Sequence, residues 1–527
     1  MTDGGDRLRD ERLIGRAFRL HPLSIPYRVL EQGLGLAFVL LVVGAPAFGM
    51  VANSLGTSLT AVLGAVLVVG VVGYGVAYYR RFEYELTADT FDIRSGVFAR
   101  RDREIPLRRI QNVDISQNIV QRALGIAEVR LETAGGSTSE AHLKFVSVTR
   151  ANRLQREISR LSRAGDEQSP EPEAFETLFE ISDRELGLLA VVSTDLRIIP
   201  ALFLGASLFA PSAAAMFDAE MLLYGYQSVI GAVLGPLVTL AGIVLVGLLY
   251  GALNATLYYG FTLRGAADEL RYERGLLQKY SGTIPLSKIQ SLTVEENVLA
   301  RAIGYASLEI ETAGQSGGGE GNQGSSQSAI PLATRDRVLE LTNSIEPVGD
   351  VGFERPPKRA RQRYGVRYAA VVVILTGVLW LVDAVVGLPF AWWLALGALV
   401  LVPPAAHLKW RNRGYAVGEN HVLTRNGFWV RQTKIVPYYR VQTVVSSSTV
   451  FQRRRRLATV TIDTAGARSL VGNDAKAVDV DDVTATQLRE GVSGNLYTAL
   501  RRRRHDEGRR RRFGDRRQSS GEPVAEE

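Results

Sequence analysis

Ile105-Pro106-Leu107-Arg108-Arg109-Ile110-Gln111, Ile284-Pro285-Leu286-Ser287-Lys288-Ile289-Gln290 and Val436-Pro437-Tyr438-Tyr439-Arg440-Val441-Gln442 are three copies of one pattern. A second landmark follows each at constant distance: Glu132-Thr133-Ala134-Gly135, Glu311-Thr312-Ala313-Gly314 and Asp463-Thr464-Ala465-Gly466. Both landmarks shift by 179 residues from copy one to copy two and by 152 from copy two to copy three. Gly96, Gly275 and Gly427 keep the same register upstream. The repeating unit is a domain of roughly 80 residues, too long for a solenoid repeat and near the lower end of domain sizes.

Working outward, the segments between landmarks alternate. Ala127-Glu128-Val129-Arg130-Leu131-Glu132, Ala306-Ser307-Leu308-Glu309-Ile310-Glu311 and Ala458-Thr459-Val460-Thr461-Ile462-Asp463 have the period of two that belongs to strands with one buried face. Asn118 to Gly125 and Asn297 to Gly304 carry apolar residues at helical spacing with a terminal glycine, predicting a short helix or turn. Thr149, Thr334 and Thr484 each open a helical pattern, and Thr484 with Gln487 has capping-box spacing. A sheet of about seven strands closed by a C-terminal helix is the simplest fold for the unit.

Before each domain lie two apolar segments of about 20 residues, the length that spans a bilayer: 29–50 and 59–79, then 198–217 and 229–250, then 368–386 and 392–407. The turns between them lack Lys and Arg, whereas Arg80, Arg81, Arg264, Arg361, Arg363, Arg367, Lys409, Arg411 and Arg413 flank the other ends. By the positive-inside rule the expectation is six transmembrane helices in three hairpins, with both termini cytoplasmic. The fold class expected is therefore an α+β membrane protein. It comprises a basic arm (1–28), hairpin (29–79), domain (80–163), linker and interfacial helix (164–197), hairpin (198–258), domain (259–347) and basic linker (348–367). A third hairpin (368–408), a third domain (409–500) and a disordered arginine-rich tail (501–527) complete it.

These residues resemble a known family, the bacterial pleckstrin-homology-like domain in its membrane-bound, YdbT-like form. The likeness rests on the Ile-Pro-x-x-x-Ile-Gln element, the Asn-x-x-x-x-x-x-Gly helix-turn, the strand ending in Glu-Thr-Ala-Gly, and the repetition of hairpin plus domain over nearly the whole chain. The resemblance implies a PH-like β-barrel or sandwich with a C-terminal helix, no enzymatic activity, a membrane scaffold role, and sometimes a smaller single-domain relative as companion. The loops that bind headgroups in eukaryotic PH domains correspond to Thr87-Ala88-Asp89-Thr90, Ala266-Ala267-Asp268-Glu269 and Gly418-Glu419-Asn420. They are neutral or acidic, so phosphoinositide recognition does not carry over.

The chain of 527 residues has a net charge of +8 and no cysteine, which excludes disulfides, thiolate metal sites and cysteine nucleophiles. The five histidines are scattered without zinc-site spacing, so no metal, cofactor or catalytic residue is expected. Gly314-Gln315-Ser316-Gly317-Gly318 spells a nucleophile elbow, but inside a low-complexity loop.

Repeat three departs from the others at Arg453, Arg454, Arg455 and Arg456, where Arg455 and Arg456 replace Leu124 and Gly125. Two readings stay open: a basic patch facing anionic lipid, worth about 1 kcal/mol per charge near the surface, or a solvated turn. The tail clusters Arg501, Arg502, Arg503, Arg504 and Arg509 to Arg512 carry the same two readings. Nucleic acid is disfavoured because no aromatic platform accompanies them. Gly231 with Gly235, and Gly247 with Gly251, have the small-residue spacing of close helix contacts, within the protein or between copies. The shared members of the threefold element, Pro106, Gln111, Pro285, Gln290, Pro437 and Gln442, are a strand-end proline and a glutamine that either binds a partner or secures a neighbouring strand. The functional expectation is a membrane-anchored scaffold or binding module for a lipid surface or for proteins. A transporter or transport accessory is the alternative, disfavoured by the scarcity of ionisable residues within the apolar segments.

Overall fold

The computed structural model describes residues 13–27, 57–133, 141–163, 175–193, 229–266, 268–312, 326–349, 351–386, 391–465 and 474–519. The chain divides into two compact units, Met1–Thr177 with Gly260–Pro285 and Gly318–Asn322, and Leu178–Tyr259 with Leu286–Gly317 and Gln323–Glu527. The division cuts repeat two at Pro285, because strands pair across the repeat boundaries.

In the first unit, β1 (Ala17–Arg19), β2 (Glu83–Leu86), β3 (Thr90–Ser95) and β4 (Arg101–Pro106) form an antiparallel sheet in that order. A seven-stranded sheet follows, built from β5 (Ile110–Gln117), β6 (Ile126–Thr133), β7 (Ala141–Ser147), β8 (Glu176–Glu180, within which the division falls), β9 (Thr262–Gly265), β10 (Glu269–Arg274) and β11 (Lys279–Pro285). Its order, β7-β6-β5-β11-β10-β9-β8, joins the last three strands of repeat one to the first three of repeat two. Alternation produces the core: Tyr84, Leu86, Phe91, Val129, Leu131 and Leu143 point inward from their strands. Helix α3 (Val148–Arg163), the third of the described helices after α1 (Thr57–Arg81) and α2 (Ile119–Ala123), lays Ala151, Leu154 and Ile158 on this core at three- and four-residue spacing. Each fully buried Leu or Ile stabilises by about 1.5–3 kcal/mol.

The second unit repeats the scheme. β12 (Ile289–Asn297), β13 (Tyr305–Thr312) and β14 (Ser326–Thr334) of repeat two join β15 (Gly414–Val417), β16 (His421–Asn426) and β17 (Val430–Pro437) of repeat three in the order β14-β13-β12-β17-β16-β15. β18 (Val441–Ser447), β19 (Leu457–Thr464) and β20 (Ala475–Asp481) form a three-stranded sheet. Helices α4 (Asp183–Val192), α5 (Val229–Thr256), α6 (Val298–Ala302), α7 (Arg335–Ile345), α8 (Lys358–Val386), α9 (Val402–Arg411), α10 (Val450–Arg453) and α11 (Asp482–Ser519) also lie in this unit. The repeat-three core gathers Tyr415, Val436, Tyr438, Val460, Ile462, Ala477, Val480 and, from α11, Leu488 and Val492.

Each repeat thus supplies six strands, three to each of two sheets, where about seven were expected. The threefold element is the corner between the sheets. Its proline ends β4, β11 or β17, a single 3₁₀ turn follows (Leu107–Arg109, Leu286–Lys288, Tyr438–Arg440), and the chain enters the next sheet. Gln111, Gln290 and Gln442 are the extra residues of a β-bulge against β6, β13 and β19. Strands that switch sheets do so through bends and bulges of this kind.

The expectation of six transmembrane helices is corrected. Among the described residues, two helices are long and apolar enough to cross a membrane, Lys358–Val385 and Trp392–Arg411, and the second begins as a 3₁₀ stretch, Trp392–Leu401. Leu240–Thr256, the part of α5 whose side chains are described, is apolar. Residues 29–50 and 198–217 lie outside the described residues, and the side chains of α1 are described only in part. The described residues are rich in antiparallel sheet, and the orientation inferred for the termini, which rested on six spans, falls with them.

Two smaller differences concern helix ends. Thr484 sits inside α11, which starts at Asp482, so its capping box does not form. Boxes form at Asn118–Gln121, Ser182–Glu185 and Thr449–Gln452. Helix α11 continues to Ser519, through the tail expected to be disordered.

Candidate functional site

Two kinds of place, a strand junction and a helix anchor, each gather several buried polar side chains. The first is the junction between repeats, which occurs twice in one register. Gln117, Ser116 and Ile115 of β5 face Lys279, Tyr280 and Ser281 of β11. The residues at the corresponding positions, Glu296, Glu295 and Val294 of β12, face Arg431, Gln432 and Thr433 of β17. Beside each junction an arginine of the short helix donates to the carbonyl at the tip of the neighbouring hairpin. Arg122 reaches Leu276 O at 2.9 Å, and Arg301 reaches Phe428 O at 3.3 Å.

Glycine makes these tips. Gly96, Gly275 and Gly427 have φ of 104°, 106° and 92°, and a Cβ there would lie within 2 Å of the carbonyl oxygen of Ala99, Gln278 and Val430.

The side chains of the two junctions differ. In the second, Glu296 accepts a two-point hydrogen bond from Arg431 (2.9 and 2.7 Å), Lys434 pairs with Glu311 at 2.6 Å, and Gln432 bonds Glu295. In the first, Asp114 of β5 accepts from Asn112 at 2.9 Å and from Tyr272 at 3.1 Å, beside Gly282. Burial, and the negative charge of Glu132, push the Asp114 carboxyl up to about 7.

The second place anchors repeat three to the two candidate spans. Asp479 of β20 is fully buried with φ of 61°, a conformation Asp tolerates better than most residues. Its Oδ2 accepts from Arg363 Nη2 at 2.6 Å, Tyr364 Oη at 2.6 Å and Arg413 Nη1 at 3.2 Å; its Oδ1 accepts from Gln452 at 2.8 Å. Arg363 and Tyr364 begin α8, and Arg413 follows α9. The carboxylate therefore ties the polar ends of both apolar helices to the sheet. Arg359 of α8 adds bonds to Asp481 and to the Arg456 carbonyl. In repeat one the same bulge position is Phe145, φ 70°, whose ring meets Tyr27 at 4.9 Å. Sequence reading missed Asp479. The available signal was an acid amid apolar alternation, Ala477-Val478-Asp479-Val480, with arginines flanking the helices.

The expected site residues scatter. Arg453 and Arg454 are exposed at the end of α10. Half-buried Arg455 bonds Gln362 and the Arg359 carbonyl, and Arg456 takes φ of 50° where repeats one and two have glycine. Arg501 and Arg502 are exposed on α11; the side chains of Arg503 and Arg504 lie outside the described residues.

Gly231, Gly235, Gly247 and Gly251 all belong to α5. At Gly251 a Cβ would fall 1.8 Å from Ala190 O, so the absence of a side chain lets α4 pack against α5. The side chains of Gln290 and Gln442 diverge, the first buried and donating to Lys288 O at 3.2 Å, the second exposed; that of Gln111 lies outside the described residues.

Three copies of a small domain, each giving three strands to one sheet and three to the next on either side of a proline turn, joined to apolar helices, define a membrane-associated protein of repeated β-domains. Comparison with known proteins gives the family. The bacterial PH domain family matches three times, over residues 36–162, 207–348 and 368–495, and the chain belongs to it. It is similar to UPF0699 transmembrane protein YdbT of Bacillus subtilis (strain 168), 26% identical over 423 residues, covering 75% of this chain and 82% of that one. It is also similar to the smaller UPF0699 transmembrane protein YdbS of the same organism, 32% identical over 113 residues, which are 21% of this chain and 69% of that one. No solved structure matches.

Proposed function

We propose that the protein is a non-enzymatic scaffold of the cytoplasmic membrane, presenting its PH-like domains at the membrane surface to anionic lipid and to partner proteins. The observation that carries this reading is the Asp479 anchor. It holds a β-domain, whose outer surface carries exposed Arg453 and Arg454, against the polar ends of two helices long enough to span. Basic side chains so placed are within reach of headgroups, where each is worth about 1 kcal/mol.

The lipid part is tested on the full chain in mild detergent, by native mass spectrometry of retained phosphatidylglycerol against phosphatidylcholine. The expected result is preferential retention of phosphatidylglycerol that weakens in high salt, as surface electrostatics must, and that falls in an R454Q/R501Q/R502Q variant. Equal retention of the two lipids by the unaltered chain would sink it. Arg453 is kept out of that variant because its counterparts Arg122 and Arg301 hold backbone carbonyls.

A further inference from the structure

The two internal junctions leave complementary strand edges at the two ends of the array. In repeats one and two, the first strand of the second sheet is covered by the next repeat. Asn112, Ile115, Ser116 and Gln117 on β5, and Ser291, Val294 and Glu296 on β12, are buried. In repeat three the corresponding strand is β18, the last strand of its sheet among the described residues. Its Thr443, Val445, Ser446 and Ser447 are exposed. The opposite edge is exposed at the other end. β11 and β17 each pair with a preceding repeat, whereas β4, their counterpart in repeat one, is the last strand of its sheet among the described residues, with Arg101, Asp102, Arg103 and Glu104 exposed. The matching hairpin tip carries Phe98, 91% exposed, where repeats two and three have Leu277 and Trp429.

We infer that a second copy of this chain docks β4 on β18, extending the array head to tail in the register of the internal junctions. Carrying the offsets through places Ser448, Ser447 and Ser446 opposite Arg100, Arg101 and Asp102 of the second copy. It also assigns Arg453, counterpart of Arg122 and Arg301, to the carbonyl of Val97 at the second copy's hairpin tip. A second copy is the favoured occupant because one chain contains both halves of an interface it already forms twice. The charges also agree: β18 is uncharged, and β4 alternates Arg-Asp-Arg-Glu with no net charge, so no like charges oppose. An unpaired edge offers a ready template for backbone hydrogen bonds. The contact joins different patches on the two copies, so it generates rings or open chains rather than a closed dimer. This inference stands on strand pairing; it assigns Arg453 to the second copy and leaves Arg454, Arg501 and Arg502 to the lipid reading.

The chain has no cysteine, so the test is disulfide mapping in native membranes of the full-length protein. An R101C/S447C variant under mild oxidant is expected to give a ladder of covalent dimers and larger species. Co-expression of differently tagged R101C and S447C chains is expected to give a mixed dimer and nothing larger. The internal counterpart S116C/Y280C serves as control and should close within one chain. Adding R453A is expected to lower the yield about tenfold, the loss of one charge-assisted hydrogen bond worth about 1.4 kcal/mol. The proposal is overturned if the control closes but the ladder is no stronger than in S447C alone. It is equally overturned if S447C is captured by a different protein carrying a single such domain.

Discussion

At Asp479, four donors converge on one carboxylate with no exposed surface. Removing one partner of a buried charge pair costs about 3–5 kcal/mol, because the other charges stay buried without compensation. D479A is therefore expected to lower the thermal midpoint of the purified chain by several degrees and to speed protease cleavage around β18–β20. A midpoint unchanged within error would contradict the anchor. Asp114 makes stability depend on pH. Its carboxyl is raised from 3.8 to about 7 by burial, with Glu132 adding to the shift. Between those values the folded state holds a proton that the unfolded state has released. Stability therefore falls as pH rises from about 4 to about 7, and the loss is complete above that. D114N, unable to ionise, should show a smaller drop in midpoint between pH 5 and pH 8 than the parent chain; matched slopes would count against it.

Among the elements, the hairpin tips show what local sequence can specify. Gly427 takes φ of 92° and faces Val430 O at 1.9 Å from where a Cβ would stand. G427A must strain the turn between β16 and β17, costing about 1 kcal/mol or more, and should also shift the Phe428 carbonyl that Arg301 holds. Faster amide exchange across His421–Asn426 and Val430–Pro437 is the expected signature, and unchanged protection there would contradict it. The repeat register, the strand alternation and the short glycine-ended helices of repeats one and two were legible, because each is fixed by a period or a dihedral within a few residues. Two features were not. The sharing of sheets between repeats depends on which edges meet, a non-local fact that residue offsets do not encode. The Asp479 anchor draws on positions 66 and 116 residues apart, and its acid replaces a phenylalanine, so the repeat comparison alone disguised it. Apolar length led to six spans, whereas the described helices meet the requirement for two.

Over the whole molecule, sharing of sheets makes the cooperative units differ from the sequence repeats. β9, β10 and β11 belong to repeat two by sequence, yet they complete the sheet of β5, β6 and β7 from repeat one. A disturbance at β11 should therefore travel into repeat one. Gly282 is the place to apply it, since a Cβ there would lie 2.4 Å from Asp114 Oδ1 and 2.5 Å from Tyr272 Oη. Overpacking of this kind costs about 1–3 kcal/mol. In G282V, amide exchange is expected to quicken in Ile110–Gln117, Ile126–Thr133 and Ala141–Ser147 as well as in Glu269–Arg274, while Val441–Ser447 and Leu457–Thr464 keep their protection. Sub-global opening follows contiguous packed units rather than sequence blocks, so a response confined to residues 259–347 would mean that each repeat folds by itself. That result would remove the shared sheet as the unit of stability.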